Sequence, residues 1–111
     1  MRYYLLIHLF LPFFTWAQTD SILTDSELQF RDSIAAINIA AKQQQLLEES
    51  FNSATAFMNH KNYSEAIVSL NQVLAIDSLY IDAYFNRAIC NRELNRFELS
   101  IADFQHTFSL D

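Results

Sequence analysis

Between Asp25 and Asp111 the chain contains neither glycine nor proline. These two residues are the strongest interrupters of regular helices, so helices can run through this whole stretch. Good helix formers are frequent in it, and apolar residues recur at three- and four-residue steps rather than in the alternation typical of strands. We therefore expect an all-α fold, with helices near residues 25–45, 47–60, 63–76, 81–94 and 97–110.

Local capping signals mark several helix starts. Thr24 and Glu27 have the spacing of a capping box, in which the threonine hydroxyl accepts from an early backbone N–H and the glutamate reaches back. Asn62 and Asn95 also precede a glutamate by three residues, and asparagine is a favourable N-cap. No signal separates the first two helices, because Gln43–Gln45 are compatible with a helix. One long helix over both ranges is therefore the alternative.

Residues 1–17 have the pattern of a targeting segment. After one basic residue, residues 3–16 are nearly all apolar, and Ala17 ends the run as a small residue. This pattern predicts a secretory signal peptide cleaved after Ala17, because a membrane span needs about 20 apolar residues and Pro12 lies inside the run. An uncleaved membrane anchor is the alternative. We expect residues 18–24 to be a linker, the mature chain to have no membrane span, and the protein to be exported to a bacterial periplasm or secreted.

The composition excludes several classes of function. The absence of glycine excludes the Gly-rich loops that hold phosphates, and a single cysteine excludes a disulfide framework. A net charge of −6 at pH 7 makes the chain a poor binder of nucleic acid. His60 and His106 lack neighbouring metal ligands at the usual spacing, so we expect no metal, no cofactor and no enzymatic activity. Cys90 has no internal partner, and it is either a reactive or disulfide-forming thiol or a small buried hydrophobe.

A repeat of 34 residues carries most of the information in this sequence. When the chain is compared with itself at that spacing, residues match in identity or in size and polarity. The matched pairs are Phe51 with Phe85, Asn52 with Asn86, Ala54 with Ala88, Tyr63 with Phe97, Ile67 with Ile101, Leu70 with Phe104, Ile76 with Leu110 and Asp77 with Asp111. Two helices in each 34-residue unit is the period of a helical-hairpin solenoid.

This pattern resembles that of tetratricopeptide repeat (TPR) proteins, which combine aromatic and small residues at fixed positions of two helices. The matching residues are Ala54, Phe57, Tyr63, Ala66 and Leu70 in the unit 47–80, and Tyr84, Ala88, Phe97, Ser100 and Phe104 in the unit 81–111. Ser50, Ser78 and Asn91 depart from the pattern. The resemblance implies a short TPR-like α-solenoid of two hairpins, preceded by an N-terminal helix over 25–46 and truncated at the C-terminal end of its second unit.

The resemblance also implies roles for particular side chains. Small residues belong where the two helices of a hairpin cross closely, and large apolar residues fill the space between helices. The expected packing residues are Ala54, Phe57, Tyr63, Ala66, Leu70, Ala88, Phe97, Ser100 and Phe104. In TPR proteins the first helix of each hairpin lines a concave groove, and the corresponding partner-binding residues here are Phe51, Thr55, Met58, Phe85, Ile89 and Arg92.

The resemblance places Glu48, Asn59, Asp82 and Glu93 on the same faces, so the expected groove is mixed apolar and acidic. Phe51 and Phe85 stand where a clamp for a peptide carboxylate would carry polar cations, so we reject carboxylate capture. A hydrophobic peptide or helix is the expected ligand. The alternative is that Phe51, Phe85 and Ile89 simply pack against the N-terminal helix.

The last helix is unusual for a solenoid, because no capping helix follows Phe104, Phe108 and Leu110. Solenoids usually end in a polar-faced cap and need about three units for stability. Three explanations remain open: the chain is a fragment or a truncated product, it dimerises through this end, or the helix at 25–45 acts as a half unit. Exposed aromatic residues of this kind favour self-association.

The sequence therefore predicts an exported scaffold that binds a protein or peptide through a TPR groove. The first alternative is an N-terminal fragment of a longer TPR-bearing envelope sensor or assembly protein. The second is an enzyme, although no serine lies in a nucleophile turn. The acidic residues Asp25, Glu27 and Asp32 are better explained as the solvated start of a helix than as catalytic carboxylates.

Overall fold

The computed structural model describes residues 23–110, and this part of the chain forms four α-helices and no strand. The helices are α1 (Asp25–Asn59), α2 (Tyr63–Ile76), α3 (Ile81–Glu93) and α4 (Phe97–Leu110). The expected all-α fold is confirmed. The predicted signal peptide over 1–17, and the predicted linker over 18–24 except for its last two residues, lie outside the described residues.

The first helix is continuous over 35 residues, from Asp25 to Asn59. The two helices expected near 25–45 and 47–60 are therefore one, and the single-helix alternative is the correct one. Its start has the predicted capping box: the backbone N–H of Thr24 donates to Glu27 Oε2 at 2.8 Å, and the backbone N–H of Glu27 donates to Thr24 Oγ1 at 3.4 Å. The hydrogen bonds from Thr24 also lower the pKa of the Glu27 carboxyl.

The described residues divide after Asn38 into two units, residues 23–38 and residues 39–110. In the first unit the described residues are the opening turns of α1, and their side chains are exposed. The second unit contains the hydrophobic core. Its buried cluster comprises Leu47, Ala54, Ala66, Leu70, Val73, Ala83 and Cys90, and so draws on α1, α2 and α3. The helix α4 packs against α3.

The two loops that follow α1 and α3 have the same geometry, 34 residues apart. Lys61 and Asn95 both adopt the left-handed conformation, with φ of 61° and 59°. One residue later, the N–H of Asn62 donates to the carbonyl of Phe57 at 2.8 Å, and the N–H of Arg96 donates to the carbonyl of Asn91 at 2.8 Å. Both loops are thus Schellman motifs, which satisfy the last carbonyls of a helix with a left-handed residue.

The predicted asparagine N-caps are wrong at Asn62, whose side chain makes no capping hydrogen bond. Its contribution is instead the backbone N–H that closes the Schellman motif. Asn95 is the equivalent of Lys61 rather than of Asn62, and it supplies the left-handed residue for which asparagine is well suited. The conformation of these loops is therefore set by the end of the preceding helix, whereas the prediction rested on the start of the following helix.

Small residues lie where the helices of each hairpin cross. Ala54 and Ala66 are fully buried in the first hairpin, and Ala88 and Ser100 are buried at the equivalent positions of the second. The hydroxyl of Ser100 donates to the carbonyl of Ala88 at 2.8 Å, so its burial leaves no polar group unsatisfied. The small side chains at these four positions allow the two helices of each hairpin to approach each other closely.

The large packing residues are covered to different degrees. Leu70 is fully buried, Phe57 and Tyr63 pack half-buried against the core, and Phe104 is half-buried. Phe97 differs from the expectation that it fills the space between helices, because it is 53% exposed. Its counterpart Tyr63 lies in α2, which packs against both α1 and α3, whereas the main packing partner of α4 among the described residues is α3.

Candidate protein-binding surface

The six residues predicted for the groove lie on two helices. Phe51, Thr55 and Met58 lie on α1 at steps of four and three residues, so they share one helical face, and Phe85, Ile89 and Arg92 share the equivalent face of α3. We call these six residues the α1/α3 face. Phe51, Met58 and Ile89 are half-buried, whereas Thr55 and Arg92 are exposed. Phe85 is 46% exposed, which makes it the most accessible aromatic ring of the set.

Each phenylalanine of the α1/α3 face contacts a different aromatic ring rather than the other phenylalanine. Phe51 lies 5.2 Å from Tyr80 between ring centroids, and this contact joins α1 to the start of α3. Phe85 meets Phe104 edge-to-face at 5.6 Å, which joins α3 to α4. Such pairs stabilise a fold by about 0.5–1.5 kcal/mol beyond the area that they bury. These contacts hold the rings in place while leaving part of each accessible.

These contacts argue against the alternative in which the groove residues pack against a separate N-terminal helix. Residues 39–59 form one uninterrupted stretch of α1, so the residues preceding Phe51 continue its own helix and do not cross over its ring. The aromatic neighbour of Phe51 is Tyr80, and that of Phe85 is Phe104. The observed aromatic neighbours of Phe51 and Phe85 are therefore residues of the hairpins and not residues of a separate N-terminal helix.

The polar groups on the α1/α3 face are weak ligands for a charged partner. The Thr55 hydroxyl donates to the carbonyl of Phe51 at 3.1 Å, within its own helix. The Arg92 guanidinium lies 3.3 Å from the carboxylate of Glu93, and both side chains are largely in solvent. Exposed ion pairs of this kind contribute about 0–1 kcal/mol. Apolar surface is therefore what this face chiefly offers.

A polar cluster that the sequence analysis missed connects α2, α3 and α4. The guanidinium of Arg87 donates to both carboxylate oxygens of Asp103, from Nε at 2.8 Å and from Nη2 at 2.7 Å, and to Asn71 Oδ1 from Nη1 at 2.7 Å. It also lies 5.4 Å above the ring of Tyr84. The hydrogen bonds to Asp103 raise the pKa of Arg87, so the guanidinium is charged at every accessible pH.

This cluster lies at a cavity of about 430 Å³ between the same helices. The cavity is lined by Ile67, Asn71, Arg87, Asn91, Arg96, Leu99, Ala102 and Asp103. The charge of Arg87 is already neutralised by a bidentate carboxylate, so Arg87 joins helices and is not available to bind an anionic ligand. The sequence signal for this ion pair was the charge of Asp103 inside the apolar pattern of α4. Its partner Arg87 lies 16 residues earlier on another helix, so the sequence did not identify it.

The other side chains that could take part in catalysis or metal binding have contacts that indicate structural roles. Cys90 is fully buried, and burial raises the pKa of its thiol to about 11, so the explanation as a small buried hydrophobe fits and a reactive thiol does not. The ring of His106 lies 4.1 Å from the ring of Tyr84 between centroids and is tilted from it by 58°, and the Tyr84 hydroxyl donates to the carbonyl of Ser78 at 2.9 Å. Residues 23–110 contain no group of three or more His, Cys, Asp or Glu arranged to hold a metal ion.

None of the helices within residues 23–110 combines the length and the apolar character that a membrane crossing requires. Comparison of the chain with protein-family models, with curated proteins and with solved structures gives no match.

Proposed function

We propose that this chain is an exported interaction module of the TPR type, and that it holds an apolar segment of another protein on the α1/α3 face. The observation that carries the proposal is the equivalence of the two hairpins, whose loops share their left-handed residue and their hydrogen bonds at a spacing of 34 residues. Stacked units of this length present their first helices side by side, and such surfaces are suited to holding peptides or helices.

The character of the α1/α3 face supports an apolar ligand. Phe85 and Phe51 are held by aromatic neighbours and remain partly accessible, which is the arrangement of anchor residues at protein interfaces. A rigid ring loses little conformational freedom when a partner covers it. The face can therefore gain affinity from apolar burial alone.

The charges around the face favour a partner segment with basic flanks. Glu48 and Asp82 are exposed at positions bordering the face, and the whole chain carries a net charge of −6. A basic amphipathic helix or peptide would place its apolar side on the phenylalanines and its cations towards these carboxylates. Raising the salt concentration should slow its association more than it speeds its release.

Affinity capture with the full chain as bait tests the proposal. Thr55→Arg adds a bulky cation in the middle of the face without removing a packing side chain, and Phe85→Ala removes the most accessible ring. Val68→Arg is the control, since Val68 is also solvent-exposed, at 59%, but lies on α2. We expect captured partners to be lost with the first two variants and retained with the control. Partners that persist with Thr55→Arg would contradict binding at this face.

Export is tested separately. The full chain is produced in a bacterial host, and the protein in the exported fraction is analysed by intact mass. We expect the mass of a chain that begins at Gln18, because cleavage after Ala17 is predicted. Recovery of the intact chain from the cytoplasm or the membrane would contradict export of a mature form.

A further inference from the structure

The helix α4 has an uncovered apolar stripe. Phe97, Ile101, Phe104 and Phe108 follow one another at steps of four, three and four residues, which places them within about 60° of one another around an α-helix. Phe97 is 53%, Ile101 56% and Phe108 78% exposed, and Phe104 is half-buried against Phe85. We call these four residues the α4 stripe.

The first hairpin shows what normally covers this position. The residues 34 positions earlier are Tyr63, Ile67, Leu70 and Leu74 of α2, and all four pack in or against the hydrophobic core. They are covered because α2 has helices on two sides, α1 and α3, whereas the main packing partner of α4 among the described residues is α3. The same pattern of large apolar residues is thus sealed by a helix in one hairpin and open in the other.

The spacing within the α4 stripe is the same in both directions along the helix. An antiparallel second α4, related by a two-fold axis, would place Phe97 against the partner's Phe108 and Ile101 against the partner's Phe104. An interface of this kind is isologous, since each surface is its own complement. The stripe contains no charged residue, and the bordering Glu98 would come opposite the partner's Gln105, so no like charges would meet.

Head-to-tail stacking of copies fits the residues less well. In that arrangement α1 of a second chain would take the place that α3 takes on α2. The α3 residues buried there include Ala83 and Cys90, but their counterparts in α1 are Glu49 and Ala56. Glu49 would then bury a carboxylate against apolar side chains without a partner, which is strongly unfavourable.

We propose that the α4 stripe is a homodimer interface, in which α4 packs antiparallel on α4 of a second copy across a two-fold axis. The proposal does not depend on the α1/α3 face or on export. In this dimer, α4 of the second copy covers the α4 stripe, which is largely exposed among the described residues.

Two matched variants of the full chain test the interface by sedimentation velocity. Ile101→Glu puts a charge at the centre of the stripe, and Leu99→Glu puts the same charge on the opposite side of the same helix, at a residue of 55% exposure. We expect the unmodified chain and Leu99→Glu to be dimers. We expect Ile101→Glu to weaken dimerisation by roughly 100-fold or more, because it buries an unpaired carboxylate. Helicity by circular dichroism should be the same for all three.

A monomeric unmodified chain overturns the proposal, and so does an Ile101→Glu variant that remains a dimer. Equal dissociation by Leu99→Glu also overturns it, because that result would assign the interface to another face.

Cysteine cross-linking tests the two-fold geometry independently. Chains with Phe97→Cys and chains with Phe108→Cys are oxidised alone and after mixing. A disulfide requires the two Cβ atoms to lie within about 4.5 Å, so we expect cross-linking only in the mixture. The native Cys90 does not compete, since it is fully buried. Cross-linking of either variant alone would indicate that two copies pack in parallel, and it would overturn the antiparallel arrangement. Absence of cross-linking in the mixture would also overturn it.

Discussion

Replacing Asp103 by alanine removes the carboxylate to which Arg87 is bound and leaves the guanidinium in a largely enclosed place. The side chain of Arg87 is 24% exposed and that of Asp103 is 10% exposed. Two of the three hydrogen bonds of the guanidinium would be lost, and only the bond to Asn71 would remain. The destabilisation therefore comes chiefly from an arginine that stays charged without a counter-ion.

The magnitude follows from the burial of the pair. Loss of one partner from a fully buried ion pair costs about 3–5 kcal/mol. Because a quarter of the Arg87 side chain still reaches solvent and Asn71 still accepts one hydrogen bond, we expect about 2–3 kcal/mol for Asp103→Ala. For a unit of this size that corresponds to a fall in Tm of roughly 10–20 °C.

The assay is urea unfolding followed by circular dichroism, on Asp103→Ala, Arg87→Ala and the double variant. We expect the double variant to be less destabilised than the sum of the two single variants by at least about 1 kcal/mol, because the second substitution removes the unpaired charge. Arg92→Ala is the control, since its ion pair with Glu93 is exposed and should contribute less than about 1 kcal/mol. Additive effects of the two single substitutions would refute the reasoning.

Two further outcomes are expected. Lys61→Gly should raise the free energy of unfolding by about 0.5–1 kcal/mol in urea titrations, because glycine adopts the left-handed conformation of Lys61 without steric cost, whereas Lys42→Gly in the middle of α1 should lower it by about 1 kcal/mol. The pKa of Cys90 is about 11 in the folded chain against about 8.5 when unfolded, so its contribution to stability should be complete below pH 8.5 and be lost as the pH rises to 11. Urea titrations across this pH range should show a smaller decline in the free energy of unfolding for Cys90→Ala than for the unmodified chain. An equal decline would contradict a raised pKa of the Cys90 thiol.

The parts of the fold that could be predicted from the sequence are those fixed by neighbouring residues. Helices follow from the lack of glycine and proline after Asp25, and the capping box at Thr24 depends on a residue only three positions away. The small residues Ala54 and Ala88, which the 34-residue repeat marks as equivalent positions, are both fully buried. These features need no knowledge of how distant helices pack.

The features that were not predicted depend on packing between helices. The bond between Arg87 and Asp103 joins residues 16 positions apart on different helices, and no local pattern distinguishes it from two solvated charges. The exposure of Phe97 depends on the number of helices around α4, although the residue itself matches Tyr63. The capping prediction at Asn62 was wrong because the residue occupies the N-cap position without a side-chain capping hydrogen bond, and only its backbone N–H takes part in the loop.

The short hairpin loops also affect the folding rate of the unit that begins at Ile39. The side-chain hydrogen bonds between its helices join residues no more than 22 positions apart, and each Schellman loop closes within six residues. A chain with contacts this local has a low contact order, so its folding should take microseconds to milliseconds. Either hairpin can serve as the nucleus from which the other forms.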